Sequence, residues 1–129
     1  MYKRQDLARA REGGLDAQFF SIYVDCDYTD PELAAEARER ALDMIEALDA
    51  SISRNSDAVE IAYTAQDIER IVSEGKLAAI LAIEGGHAIE GDLGSLGEFH
   101  ALGVRYMTLT HTCSPVSYTH LTLPTTPYV

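Results

Sequence analysis

LAAILAIEGGHAIEGDLGSLGEFHALGVRYMTLTH, residues 77 to 111, is the stretch on which the fold turns. It reads as a strand, a glycine turn carrying Glu84, a helix, and a second strand delivering His111. The run from Leu77 to Ile83 has no polar position, so both of its faces must be covered, and parallel strands flanked by helices provide that cover. Glu84 therefore stands where the strand stops, and His111 stands at the same end of the next one. Loops at the carboxyl ends of parallel strands carry the polar groups that a core excludes, and ligands gather there in open and closed α/β sheets alike. The two side chains are expected to share one face.

Working outward, Asp16 to Val24 (DAQFFSIYV) is rich in aromatic and β-branched residues and reads as a strand. Before it, the pattern from Met1 to Arg11 fits a short helix or its end, stopped by Gly13 and Gly14. After it, Asp30 can cap a helix that Pro31 opens, and Leu33, Ala37, Ala41, Met44, Ile45 and Leu48 recur at helical spacing to about Asp49. Ser51 to Ala58 reads as a loop and Val59 to Ala62 as a short strand. Thr64 and Asp67 form a capping box for a helix bearing Ile68, Ile71 and Val72 and closed by Gly75.

Beyond the glycine turn, Asp92 or Ser95 can cap a short helix with Leu93, Leu96, Phe99 and Leu102 inward, ending at Gly103. Val104 to Thr110 is the next strand, and period-two counting puts Met107, Leu109 and His111 on one side. Strand and helix alternating in this way predict right-handed parallel crossovers and an α/β fold.

The chain has 129 residues, enough for one domain or a piece of one. Its formal charge of −11 repels phosphate backbones, which argues against nucleic acid as a partner, and the same field suits cations. Met1 to Arg11 lacks the apolar core of an export signal, and no run approaches the roughly 20 apolar residues of a transmembrane segment. The 21 Asp and Glu and 10 Lys and Arg all lie within residues 1–113, whereas Ser114 to Val129 has no charge and three of the four prolines. That tail resembles a translated sequencing adapter, so residues 1–113 are read as the folded unit and 114–129 as a non-native or disordered tail.

Glu84, followed by Gly85 and Gly86 that let a backbone or ligand approach closely, is suited to hold a metal or act as a base. A carboxylate in a turn can equally cap the next helix. His111 could hydrogen-bond a substrate oxygen or ligate metal, or stand as a structural histidine, and its company on the Glu84 face raises the first reading. His87, in the turn, and His100, within a helix, read as structural, since two histidines without close ligand spacing are not a zinc signature. Cys26 lies between Asp25 and Asp27, whose charge disfavours a thiolate nucleophile. Cys26 and Cys113 each follow the carboxyl end of a strand and could meet across neighbouring loops. A disulfide and two free thiols both stay open, with export implied by the first and a cytoplasmic chain by the second.

Taken together, AILAIEGGHAI, LGVRYMTLTH and the preceding AQFFSIYV resemble the membrane (renal) dipeptidase family of zinc metallopeptidases. The likeness runs from about Asp6 to Cys113. It implies a (β/α)8 TIM barrel of the amidohydrolase-like type, present here as an incomplete fragment of about three to four βα units. It further implies a parent with two zinc ions at the carboxyl face, a dipeptide substrate and homodimeric assembly. The Glu of the family's EGGH motif, here Glu84, bridges the metals, and the His of its LTH motif, here His111, contacts the substrate and steadies the oxyanion. Cysteines matching Cys26 and Cys113 are paired in some secreted relatives. The family's His-x-Asp metal pair has no counterpart in this sequence, and His120 in the tail matches none of the later metal histidines. The chain itself is therefore expected not to hold zinc tightly and to be inactive. The alternative is a non-catalytic α/β module whose glycine turn binds a ligand or partner.

Overall fold

The computed structural model describes residues 7–25, 33–89 and 92–109. In chain order the elements are α1 (Leu7–Glu12), β1 (Ala17–Tyr23), α2 (Ala34–Ser53), β2 (Val59–Ile61), α3 (Ala65–Ser73), β3 (Leu77–Glu84), a 3-10 turn (Gly86–Ile89), α4 (Gly94–Ala101) and β4 (Val104–Thr108). Every strand pairing is parallel, as the alternation of strands and helices required.

β3 is the centre of the sheet. Along one edge it pairs with β1 over its length, from Ala17 opposite Ala78 to Tyr23 opposite Glu84. The other edge is shared: β2 takes Leu77 to Ala79, and β4 takes Leu81 to Glu84. Leu77, Ala78, Ala79, Leu81, Ala82 and Ile83 are all buried, so the apolar run is covered on both faces.

One face carries the larger core. Leu77, Ala79, Leu81 and Ile83 point to α2, which answers with Ala37, Ala41, Ile45 and Ile52, and Phe99 of α4 joins the same cluster. Burying a large aliphatic or aromatic side chain there contributes about 1.5–3 kcal/mol. On the opposite face, α3 covers only the amino-terminal end, packing Ile71 against Ala62 and Ala78. Further along that face stand Ala82 and Glu84.

α1 ends as expected at Gly13 and Gly14. Gly14 has φ 76°, and the Leu15 and Gly14 N–H groups donate to the carbonyls of Ala10 and Arg11, both at 3.0 Å, which satisfies two carbonyls that the helix leaves open. The Thr64 capping box is present: the Thr64 hydroxyl accepts from the Asp67 N–H while the Asp67 carboxylate accepts from the Thr64 N–H.

Several expectations need correction. α2 continues to Ser53 and takes the start of the loop expected at Ser51 to Ala58, because Ile52 extends the buried stripe two turns beyond Ile45. Asn55 then stops it by donating its side-chain amide to the Ser51 carbonyl at 2.8 Å. Leu33 precedes the helix and is exposed, while Asp30 and Pro31 lie outside the described residues. In α4, Leu93, Leu96 and Leu102 are exposed, and the buried positions are Ser95 and Phe99, since α4 meets the sheet along the single line joining those two. No side-chain cap forms at its Leu93 N-cap, although Asp92 accepts from the Gly94 N–H at 2.8 Å.

β4 ends at Thr108, short of Thr110, and carries an irregularity. Val104 pairs with Leu81 but Tyr106 pairs with Ala82, so Arg105 is an extra residue in the ladder. The bulge reverses the phase of the strand. Met107 thus lies in the row of Ile83, and Thr108 in the row of Glu84. Counting by twos onward from Met107 therefore tracks the face opposite Glu84 as far as the strand runs. Among the described residues, no helix is long and apolar enough to cross a membrane.

Candidate functional site at the carboxyl rim of the sheet

The carboxyl ends of β1, β3 and β4 form one rim, and Glu84 sits at its centre between Tyr23 and Thr108 in the same row. The Ser21 hydroxyl, two rows deeper on β1, donates to Glu84 Oε2 at 2.7 Å. That length is typical of a hydroxyl donating to a charged carboxylate.

The turn behind Glu84 is held from three sides. Gly85 has φ 106° and donates its N–H to Thr108 Oγ1 at 2.9 Å. Gly86 donates to the Leu109 carbonyl at 3.1 Å. Both positions also demand the missing Cβ. On Gly86 it would stand 2.8 Å from the Leu109 carbonyl oxygen, and on Gly85 2.4 Å from His87 Cε1. A side chain at either would push a neighbour away.

His87 is buried, and its Nε2 lies 3.0 Å from the Val24 carbonyl just past β1. A carbonyl can only accept, so Nε2 carries the hydrogen. Nδ1 is buried without a hydrogen-bond partner among the described residues. The imidazole thus straps the turn after β3 to the end of β1, a structural role as its sequence context suggested. His100 is exposed on α4 and borders an apolar groove of about 170 Å3 against β4. Ile83, Phe99 and Met107 line that groove, which places it on the helix-covered face, away from Glu84.

An ion network occupies the other end of β3. Glu60 accepts from Arg70 at 2.6 Å and from Lys76 at 3.0 Å, and these two donors hold its carboxyl below the usual range. Asp67 is likewise held down, mainly by the Thr64 hydroxyl. Glu60 pairs beside Ala78, at the far end of the strand from Glu84.

Of the side chains singled out in the sequence, Glu84 falls at the rim as expected, and His111, Cys26 and Cys113 lie outside the described residues. The sequence does not single out Ser21 or Thr108. Ser21 shares its alternation with Phe19 and Tyr23, which would have placed it on the Glu84 face once β1 and β3 were known to be neighbours. Thr108 had no such signal, because the bulge at Arg105 sets its phase. As a donor set for a metal, the described residues are incomplete: among them no group of three or more His, Cys, Asp and Glu stands together.

Comparison with known proteins bears on this rim. The family described as membrane dipeptidase (peptidase family M19) matches residues 2–118. Dipeptidase aclJ of Aspergillus oryzae is 35% identical over 117 residues, 88% of this chain and 28% of its own length. Dipeptidase 3 of Homo sapiens is 39% identical over 108 residues, 84% of this chain and 20% of its own. The chain thus spans about a quarter of the length of these curated relatives. Among solved structures, dipeptidase AC, a metallopeptidase of the same family, superposes with TM-score 0.75 at 30% identity, covering 84% of this chain and 34% of that one. A metallopeptidase from Rhodobacter sphaeroides, liganded with a phosphinate mimic of the dipeptide L-Ala-D-Ala, gives TM-score 0.76 at 25% identity over 85% of this chain and 37% of that one. These neighbours bear out the expected class, an incomplete stretch of an α/β barrel.

Proposed function

Because the chain belongs to the membrane dipeptidases, peptidase family M19, we propose that it is the part of a metal-dependent dipeptidase that supplies the metal-bridging carboxylate, Glu84, and a substrate-orienting imidazole, His111. The observation that carries this reading is the placement of Glu84 at the carboxyl rim of the central strand, on a turn held by Thr108, Leu109 and His87. A carboxylate fixed there faces the loops where barrel enzymes keep their chemistry.

Zinc ions, when bound, supply Lewis acidity that makes water a nucleophile at neutral pH and draws charge off the scissile carbonyl. The chain's own part is geometric. Glu84 offers two oxygens from one rigid point, which suits a ligand shared by two cations. His111, three positions past the end of β4 in the sequence, would donate a hydrogen bond where negative charge develops on the substrate. The substrate class is the dipeptide, and L-Ala-D-Ala is the natural first probe.

One carboxylate does not hold zinc tightly, and the sequence contains no His-x-Asp pair. The 129-residue chain, purified and supplied with Zn2+, is therefore expected to leave L-Ala-D-Ala intact. Hydrolysis that disappears in Glu84→Gln would contradict that expectation. The reading of the parent is tested by the gene upstream: a preceding strand without His-x-Asp would remove the hydrolase assignment. We further propose that Cys26 and Cys113 are bridged in an exported parent, and a thiol assay on unreduced protein that finds both reactive would reject the bridge.

A further inference from the structure

We propose that Ser21 is a positioning residue for Glu84, its hydroxyl fixing the plane of the carboxylate at the end of β3. The proposal rests on the reading of Glu84 as a metal ligand. Three observations carry it. The hydroxyl donates to Oε2 at 2.7 Å, so the contact is a short bond to an acidic oxygen. It comes from a different strand, so the bond ties the side chain to the sheet and not merely to its own turn.

The register supplies the second. Tyr23 is the residue opposite Glu84, whereas Ser21 is opposite Ala82, two rows deeper and on the same face. The bond therefore runs diagonally, and the Glu84 side chain leans back over the row of Ala82, whose methyl leaves room for it. The third is composition. β1 reads AQFFSIY, and Ser21 is an exposed hydroxyl among aromatic and branched neighbours. Packing of a core does not account for a serine there.

The rim then shows a division of labour. Thr108, Leu109 and His87 hold the backbone after Glu84, while Ser21 sets the side chain. A carboxylate oxygen has two lone pairs, and a hydroxyl donor occupies one of them on Oε2. The hydroxyl thereby fixes the plane in which the carboxylate stands. Partners that orient a metal ligand in this manner change affinity by about 10–100-fold when removed.

The test uses the full chain without metal and reads the Glu84 side-chain torsions by three-bond NMR couplings. Wild type is expected to show one rotamer, Ser21→Ala averaged couplings with unchanged backbone shifts beyond β1, and Ser21→Thr a single rotamer again. A serine that serves only the stability of β1 would shift the thermal midpoint and leave those couplings alone. Should Ser21→Ala fail to fold, Ser21→Cys keeps the size and weakens the donor, and is expected to give intermediate averaging. A single Glu84 rotamer in the variant that lacks the hydroxyl, or averaging already in wild type, overturns the proposal. A parallel Zn2+ titration by calorimetry separates it from the reading beneath it. Weak binding, as expected of a single carboxylate titrated at high Zn2+, that Glu84→Gln removes and Ser21→Ala weakens about tenfold supports both. Binding indifferent to Glu84→Gln removes the metal assignment, and the couplings still decide the role of Ser21.

Discussion

At the scale of single residues, the rim depends on atoms that are missing. Gly85 combines φ 106° with a virtual Cβ that would meet the His87 ring at 2.4 Å, whereas Gly75 has φ 75° and open space around it. Alanine at Gly75 should cost about 1 kcal/mol, the conformational penalty alone. Alanine at Gly85 should cost roughly 2–3 kcal/mol, because the imidazole must also leave the Val24 carbonyl. Urea denaturation of both variants measures the difference, and equal losses would mean that the crowding is relieved at no cost. His87→Ala should lose a similar ~2–3 kcal/mol by leaving a cavity and an unsatisfied carbonyl. Much of this scale was legible beforehand. The EGGH run announced a tight turn with a carboxylate, and an imidazole within reach of backbone. Ser21 was not, since its partner is 63 positions away and only strand adjacency brings them together.

At the scale of elements, local chemistry was a good guide where it acts through the backbone and a poor one where burial decides. The Thr64 box opens α3 as its spacing promised, and Thr64→Ala should cost about 1 kcal/mol in a thermal or urea melt. Serine rescue at position 64 would identify the lost cap as the cause. The end of α2 differs from its sequence reading because Ser51 and Ser53 are loop formers by composition, yet Ile52 between them is drawn into the core. In α4 the leucines promised a wide apolar face, but Phe99 and Ser95 alone meet the sheet. A sequence shows which faces are apolar; it does not show how many neighbours arrive to cover them.

At the scale of the whole molecule, the parallel α/β arrangement followed from one continuous apolar run, because such a strand has no face to give to water. The sharing of one edge of β3 by β2 and β4 did not follow from it, since each pairing spans only a few residues. The net charge of −11 and the ion network at the amino-terminal end of β3 act in opposite directions on acidification. Lower pH relieves the repulsion among carboxylates. It also removes a contribution from Glu60 and Asp67, whose folded pKa values lie below their ordinary 4.5 and 3.8. Groups of that kind stabilise fully above their unfolded pKa, and the contribution disappears as pH falls through the folded value. Stability followed from pH 7 down to ~3 should therefore drop below about pH 4, and Glu60→Gln with Asp67→Asn should flatten that limb. An unchanged slope in the double variant would show that the network adds nothing, as exposed pairs often do not.

The extra residue in β4 has a last consequence. Because Arg105 shifts the frame of the ladder by one, the corner between Gly103 and Tyr106 can change its letters far more freely than its length. Adding one residue there, with Val104 kept opposite Leu81 and the bulge no larger, would exchange the two sides of the strand, so that a thioether from Met107 replaced the hydroxyl of Thr108 beside the Gly85 amide. Relatives that keep a hydrogen-bonded glycine turn at this rim should accordingly keep the count of residues through the corner, whatever stands at position 105.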